Sequence, residues 1–241
     1  MKKALLFIAV CTLGAVALSS CSQKTPGTKQ PAGISSAEVD SVSYFIGYSY
    51  GMSMKMANFG ELNYAKLKKG IEDAFSEKVE INQQQFYNVV NGFMEKRMMA
   101  ISKDNLAKAE KFFAENGKKE GVVTTETGLQ YQIVKAGNDV KAKAEDTVEV
   151  NYEGTTLDGV VFDSSYERGQ AAKFPLNRVI PGWTEGMQLV GEGGEIILWI
   201  PANLAYGEQS PQGSKIGPNE ALKFRVEVIA VTPAATEEKA E

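Results

Sequence analysis

Four short segments hold the residues best suited to build a site: Val148-Glu-Val-Asn-Tyr-Glu-Gly154, Val161-Phe-Asp-Ser164, Val179-Ile-Pro-Gly-Trp183 and Ala205-Tyr-Gly207. They bring aromatic rings, branched aliphatic side chains and one carboxylate, a set that can line a dry aromatic pocket. The rest of the composition narrows the chemistry. The chain has no histidine, and its two cysteines, Cys11 and Cys21, both fall in the first segment of the chain. A Ser-His-Asp triad, a Cys-His pair and a histidine-ligated metal therefore cannot be assembled from these residues. Any catalysis must work by binding and desolvation, and neither metal nor cofactor is expected. The Gly47-Tyr-Ser-Tyr-Gly51 match to a nucleophile elbow lies inside a helical apolar stripe with no histidine to activate Ser49. Gly191-Glu-Gly-Gly194 is a short turn before a strand, not a phosphate loop.

Composition excludes other classes. With 43% apolar and 23% charged residues the chain is globular, with enough material for one or two cores. A net charge of -4 leaves no basic footprint for nucleic acid.

The first residues read as an export signal, predicted for 1–20. Lys2 and Lys3 precede an apolar stretch from Ala4 to Leu18, and Leu18-Ser-Ser-Cys21 closes it. This ending resembles the bacterial lipobox, which implies that Cys21 carries the lipid and becomes the mature N-terminus. A transmembrane anchor is not expected, because the apolar run is about fifteen residues against the roughly twenty needed to span a bilayer. Residues 21–34 have the proline, glycine and polar content of a flexible linker. With Ser22 next to the lipidated cysteine and no aspartate there, the outer membrane facing the periplasm is the expected address.

A capping box, Ser35-Ser-Ala-Glu38, opens the folded part. Val39, Val42, Phe45, Ile46, Met52 and Met56 recur at helical spacing, predicting a helix from about Ala37 to Ala57. A second helix is predicted from Tyr64 to Ser76 with Leu67, Ile71, Ala74 and Phe75 inward. A third runs from a cap at Asn82 to the Asn116-Gly117 stop, about 33 residues or roughly 50 Å at about 1.5 Å per residue. Its first half carries a stripe of Phe86, Val90, Phe93, Arg97 and Ile101. The charged stretch from Ser102 to Glu115 predicts a solvated stalk. A helical body this small buries little alone, so a homodimer through these helices is expected. The Tyr-, Phe- and Met-rich run from Tyr44 to Phe59 also suits adaptable binding of unfolded clients, and both readings stand.

From Gly128 the period changes to two. Leu129, Tyr131 and Ile133 alternate with polar neighbours, as do Val148, Val150 and Tyr152. Ile196 to Ile200 is a continuous apolar strand, and Leu222, Phe224, Val226 and Val228 define a long terminal one. Only Pro181 to Val190 reads as helix. The fold class is α+β: an antiparallel sheet wrapped on one short helix, preceded by an all-α region with a long connecting helix. Residues 233–241 are predicted to be a disordered tail.

In the order and spacing of the four segments, residues 124–231 resemble the FKBP-type peptidyl-prolyl cis-trans isomerases. Upstream, Asp40-Ser-Val-Ser-Tyr-Phe-Ile-Gly47 and Lys69-Gly-Ile-Glu-Asp-Ala74 resemble the helical dimerisation domain of the macrophage-infectivity-potentiator group of that family. The resemblance implies a helical dimerisation domain and stalk at 35–117 and an isomerase domain at 121–232. It implies Trp183 as the floor of a proline pocket, Tyr152, Phe162 and Phe224 as walls, and Asp163 at the border. Phe174, Val179, Ile180 and Ile216 would add substrate contacts, the Ile180 amide donating to one substrate carbonyl and the Tyr206 hydroxyl to another. It also implies that the partners are proline-containing exported proteins, unfolded or partly folded. The chain departs from the family pattern at Asn151, where a histidine is common, and at Lys215, where an apolar residue is common.

Overall fold

The computed structural model describes residues 29–76, 79–211 and 213–234. The export signal, Cys21 and the tail beyond residue 234 lie outside the described residues. Three helices come first: α1 (Ser36–Met56), α2 (Tyr64–Ser76) and α3 (Gln83–Asn116). Each begins where a side chain can take a free amide. Ser35 Oγ accepts from Glu38 N–H at 3.2 Å while Glu38 accepts from Ser35 N–H at 2.7 Å, closing the predicted capping box. Asn63 accepts from Lys66 N–H, and Asn82 from Gln84 N–H.

The chain divides into two compact units. One holds the described residues up to Met52 together with Gly60–Ile81; the other holds Ser53–Phe59 and everything from Asn82. In the first, neither helix buries a single residue. Val42, Tyr44, Phe45, Ile46, Tyr48 and Tyr50 are each more than half exposed. Ile71 and Phe75, expected inward, are exposed too. The helical spacing is present, but so short a body has too little surface to cover its own apolar face.

In the second unit Arg97 of α3 donates to the backbone and side-chain oxygens of Asn58, at 2.6 and 3.0 Å. The second half of α3 is exposed on one side and held to the sheet domain on the other. Lys108 pairs with Asp158, Ala109 is buried, and Asn116 donates to Gln130, whose amide donates to the Phe113 carbonyl. The charged side chains that suggested a stalk cover one side of the helix, while Ser102, Asn105 and Asn116 on other turns bond to the sheet domain.

The sheet contains β1 (Val123–Thr124), β2 (Gln130–Lys135), β3 (Thr147–Thr156), β4 (Val161–Ser164), β5 (Ala172–Pro175), β6 (Glu195–Ile200) and β7 (Leu222–Thr232). All pairings are antiparallel, in the order β1-β2-β6-β7-β3-β4, with β5 also on β3. Val148, Val150, Tyr152, Leu198, Leu222, Phe224, Val226 and Val228 point into one core, as their alternation predicts. On β2 the alternation misleads: Ile133 is exposed and Gln130 buried, because Gln130 receives the C-terminal end of α3.

Two short helices complete the domain, α4 (Ser165–Arg168) and α5 (Pro181–Gly186), the latter continued by a 3-10 turn, Met187–Leu189. Pro181 stands at its first turn, where its missing N–H costs nothing. Gly182 and Gly186 press α5 onto β6: a Cβ at Gly186 would sit 2.6 Å from both methyl groups of Leu198, and one at Gly182 would collide with Ile200. Trp183 lies between these glycines and is thereby held against the core.

Candidate functional site

The sequence-predicted site residues come from several elements that are far apart in the chain. Tyr152 is on β3, Phe162 and Asp163 on β4, Phe174 on β5, and Phe224 on β7. Val179 and Ile180 link the 3-10 turn Leu176–Arg178 to α5, which carries Trp183. Tyr206 follows the 3-10 turn Ala202–Leu204. These residues, with Arg178 and Pro181, line one cleft of about 540 Å³. Ile216 does not join them; it is 6% exposed and packs in the hydrophobic core.

The rings meet edge to face. Trp183 lies 5.2 Å from both Tyr152 and Phe224 and 5.5 Å from Phe174, with interplanar angles of 81° to 88°. Phe162 meets Phe224 at 5.5 Å. Edge-to-face packing sets the positive edge of one ring on the negative face of the next, so each ring restrains its neighbours. Trp183 and Phe224 are almost fully buried, which makes them the rigid base, whereas Phe162 and Phe174 are partly buried.

The strand β3 loses a partner beside the cleft. Its first half pairs with β5 and its second with β4, and Ser165, at 0% exposure, accepts the Tyr152 N–H at 2.8 Å in the gap. Ser164 caps α4, and Gly169 ends it in the left-handed conformation at φ 71. That one turn of helix brings Arg168 back to Asp163.

At the polar edge, Tyr152 donates its hydroxyl proton to Asp163 Oδ2, and the Arg168 guanidinium bonds Asp163 Oδ1. Arg168 also donates to the Tyr152 oxygen at 2.9 Å and lies over its ring at 5.4 Å. Asp163 and Arg168 side chains are each 42% exposed, so water screens the pair and it contributes at most about 1 kcal/mol to stability. Its effect is geometric: it turns the carboxylate towards Tyr152. Burial, then the bond to Asp163, pushes the Tyr152 hydroxyl up to about 12. Burial and the Asp163 charge also raise that of Tyr206. Both phenols keep their protons at neutral pH and can serve as donors.

Two donors remain unused at the rim. The Tyr206 hydroxyl, on a residue 41% exposed, and the Ile180 N–H have no acceptor among the described residues. No cluster of His, Cys, Asp or Glu able to hold a metal occurs among the described residues. The arrangement can take a compact apolar ring against Trp183 and offer hydrogen bonds to carbonyl oxygens on either side of it.

Residues 138–229 match the family model described as FKBP-type peptidyl-prolyl cis-trans isomerase. Residues 39–133 match the domain amino terminal to FKBP-type peptidyl-prolyl isomerase. The chain is 39% identical over 224 residues to the FKBP-type peptidyl-prolyl cis-trans isomerase FkpA of Aeromonas hydrophila, covering 86% of this chain and 83% of that protein. This chain belongs to the FKBP-type peptidyl-prolyl cis-trans isomerase family. It is 40% identical over 204 residues to the outer membrane protein MIP of Legionella longbeachae, covering 81% of this chain and 87% of that one. The crystal structure of FkpA from Escherichia coli is similar at a TM-score of 0.62 and 38% identity, covering 81% of this chain and 97% of that one. The helical N-terminal region followed by an antiparallel sheet is matched over most of its length by that structure, and the chain is an isomerase of X-Pro peptide bonds.

Sequence reasoning missed Arg168, Arg178, Pro181 and Ser165. Arg168 and Ser165 had a readable signal. Ser164, Glu167 and Gly169 have the cap, box and stop of a single helical turn, and one turn is what returns Arg168 to Asp163. Arg178 and Pro181 had none beyond adjacency to Val179 and Ile180.

Proposed function

We propose that this isomerase accelerates the folding of exported proteins by taking the proline ring of an unfolded or partly folded client into the cleft. The observation that carries this is the set of Tyr152, Phe162, Phe174, Trp183 and Phe224 around one cleft, with Asp163 and two unused donors at its rim. An X-Pro bond rotates slowly because amide resonance imposes a barrier of about 18–20 kcal/mol. Twisting the bond breaks that resonance and leaves a less polar amide. A cleft walled by rings disfavours the polar planar form and favours the twisted one, so binding is tighter in the transition state. The Ile180 N–H and Tyr206 hydroxyl hold the flanking carbonyls while the bond turns. Asp163, fixed by Arg168, keeps the Tyr152 wall in place and sets its negative edge towards the electropositive carbonyl carbon as it rotates. No bond is made to the protein, so no nucleophile is needed.

The test is the cis-to-trans rate of a Phe-Pro peptide with the full-length protein. Phe162→Ala and Asp163→Ala should each slow it by tenfold or more, taking about 1.4 kcal/mol per factor of ten. Unchanged rates in both would remove the cleft from the reaction.

The exposed aromatic face of α1 supports two further roles for residues 35–117. We read it first as a homodimer interface, since so long an apolar stripe costs too much in water to be left open. A monomer at micromolar concentration by light scattering refutes that. The Met- and Tyr-rich surface also supports holding unfolded clients, in which case the protein should suppress aggregation of a denatured substrate with the cleft blocked. The lipobox-like ending at Cys21 supports a lipid anchor in the cell envelope, and the name of the Legionella relative supports the outer membrane. Cys21→Ala should release the protein from the membrane fraction; retention would require another tether.

A further inference from the structure

The segment between β6 and β7 carries Tyr206 near its start, and nothing grips the Tyr206 side chain from the tip. Its hydroxyl is unpartnered among the described residues, so the height of the ring over the cleft is set by its backbone. That backbone is tied to an unexpected place. Asn219 adopts the left-handed conformation, φ 53, at a buried position, an arrangement uncommon for a residue with a side chain. Its N–H donates to the carbonyl of Gly207, the residue after Tyr206, at 2.7 Å. Its side-chain amide donates to Ser102 Oγ of α3 at 2.8 Å. One residue earlier, the Pro218 carbonyl accepts from Asn105 of α3 at 3.0 Å. Ser102 and Asn105 are three apart and share a face of the helix. Gly217 closes onto that face: a Cβ there would sit 3.0 Å from Asn105 Nδ2 and 3.3 Å from a methyl of Ile101.

We propose that Ser102 and Asn105 of α3 are positioning residues for the isomerase reaction. The helix holds the Pro218–Asn219 corner, the corner holds Gly207, and Gly207 sets Tyr206 at the rim of the cleft. This rests on Tyr206 serving as the donor to a substrate carbonyl. Neither α3 residue lines the cleft. The helix that joins the N-terminal region to the sheet is in this way part of the support of the site, and the helix face that a sequence pattern assigns to solvent acts on catalysis through two short links.

The test is a double-mutant cycle in the full-length protein, reading kcat/KM for a Phe-Pro peptide together with the thermal midpoint. Ser102→Ala removes the hydroxyl at a helical position that alanine favours, so folding is not at risk. Asn105→Asp keeps the shape but replaces the donor with a carboxylate facing the Pro218 carbonyl. Each should lower kcat/KM by about two- to tenfold, the worth of one hydrogen bond. Ser102→Thr, which restores a hydroxyl, should recover most of the loss. In a Tyr206→Phe background, with the donor already gone, Ser102→Ala should change kcat/KM no further. An equal loss in both backgrounds, or no loss in either, overturns the role of the helix. A silent Tyr206→Phe is a separate failure: it removes the donor on which the proposal depends and overturns the proposal with it.

Discussion

Gly154 faces two walls of the cleft, and replacing it with alanine tests whether those walls are rigid. It pairs with Asp163 on one side and Phe224 on the other, and its φ lies outside the left-handed range, so the backbone itself accepts an alanine. The added Cβ would sit 2.7 Å from Cε2 and Cζ of Phe162 and 2.7 Å from Cε1 of Phe224. Carbon atoms in good contact stand about 3.5–4.0 Å apart, so one ring or both must retreat by about 1 Å. Phe224 is buried against Trp183 at 5.2 Å and cannot. Phe162, only partly buried, must swing. Overpacking of this kind costs about 1–3 kcal/mol, and each kcal/mol lowers the midpoint of a unit of this size by about 3–4 °C. Displacing a wall by about 1 Å should lower kcat/KM by about ten- to a hundredfold, since positional errors of that size are felt strongly in the transition state. Peptide isomerisation and thermal unfolding, measured on the same preparation, read both effects. Phe162→Leu in the Gly154→Ala background should return the midpoint towards the wild-type value without returning activity. A Gly154→Ala protein with wild-type rate and midpoint would refute the rigid-wall account.

Two predictions concern pH. The chain has no histidine, and the Tyr152 proton is held up to about 12, so kcat/KM should be flat from about pH 7 to pH 9, between the ordinary carboxylate and tyrosine ranges; a bell-shaped profile there would reveal a titrating group that the cleft lacks. Asp146 is buried and accepts the N–H groups of Lys143 and Ala234 at 2.8 and 2.9 Å, which hold its carboxyl below its ordinary value. A depressed folded-state value means the stabilisation is complete above about pH 4, the unfolded value, and is lost as pH falls through the folded one. Asp146→Asn should therefore cost about 1–2 kcal/mol in urea unfolding at neutral pH, with the gap to wild type narrowing as pH falls below about 4; a constant gap contradicts a charge-based contribution.

The helix limits could be read directly, because capping is local: Ser35 with Glu38, and Asn82 with Gln84, are neighbours in the chain. The strands β3 and β7 were legible for the same reason, a period of two over a few residues, and β6 as an unbroken apolar run. Most of the cleft was legible too, since Trp183, Tyr152, Phe162 and Phe224 are too many rings in too ordered a spacing to be only core. Periodicity names a face but not what covers it. Ile71 and Phe75 show the right spacing and stay exposed, while Gln130 breaks the pattern and is buried.

What the sequence determined by itself is the chemistry available: aromatic rings, one carboxylate among them, and no histidine to transfer a proton. What only the tertiary structure decided is how those groups are held. Arg168 reaches Asp163 through a single capped turn, Ile216 turns into the core instead of the cleft, and α3 closes on the corner beside Tyr206. Asn105 and Pro218 stand 113 residues apart. Contacts over such separations form only when the whole sheet has brought both partners to one place, and no local pattern in the chain records them.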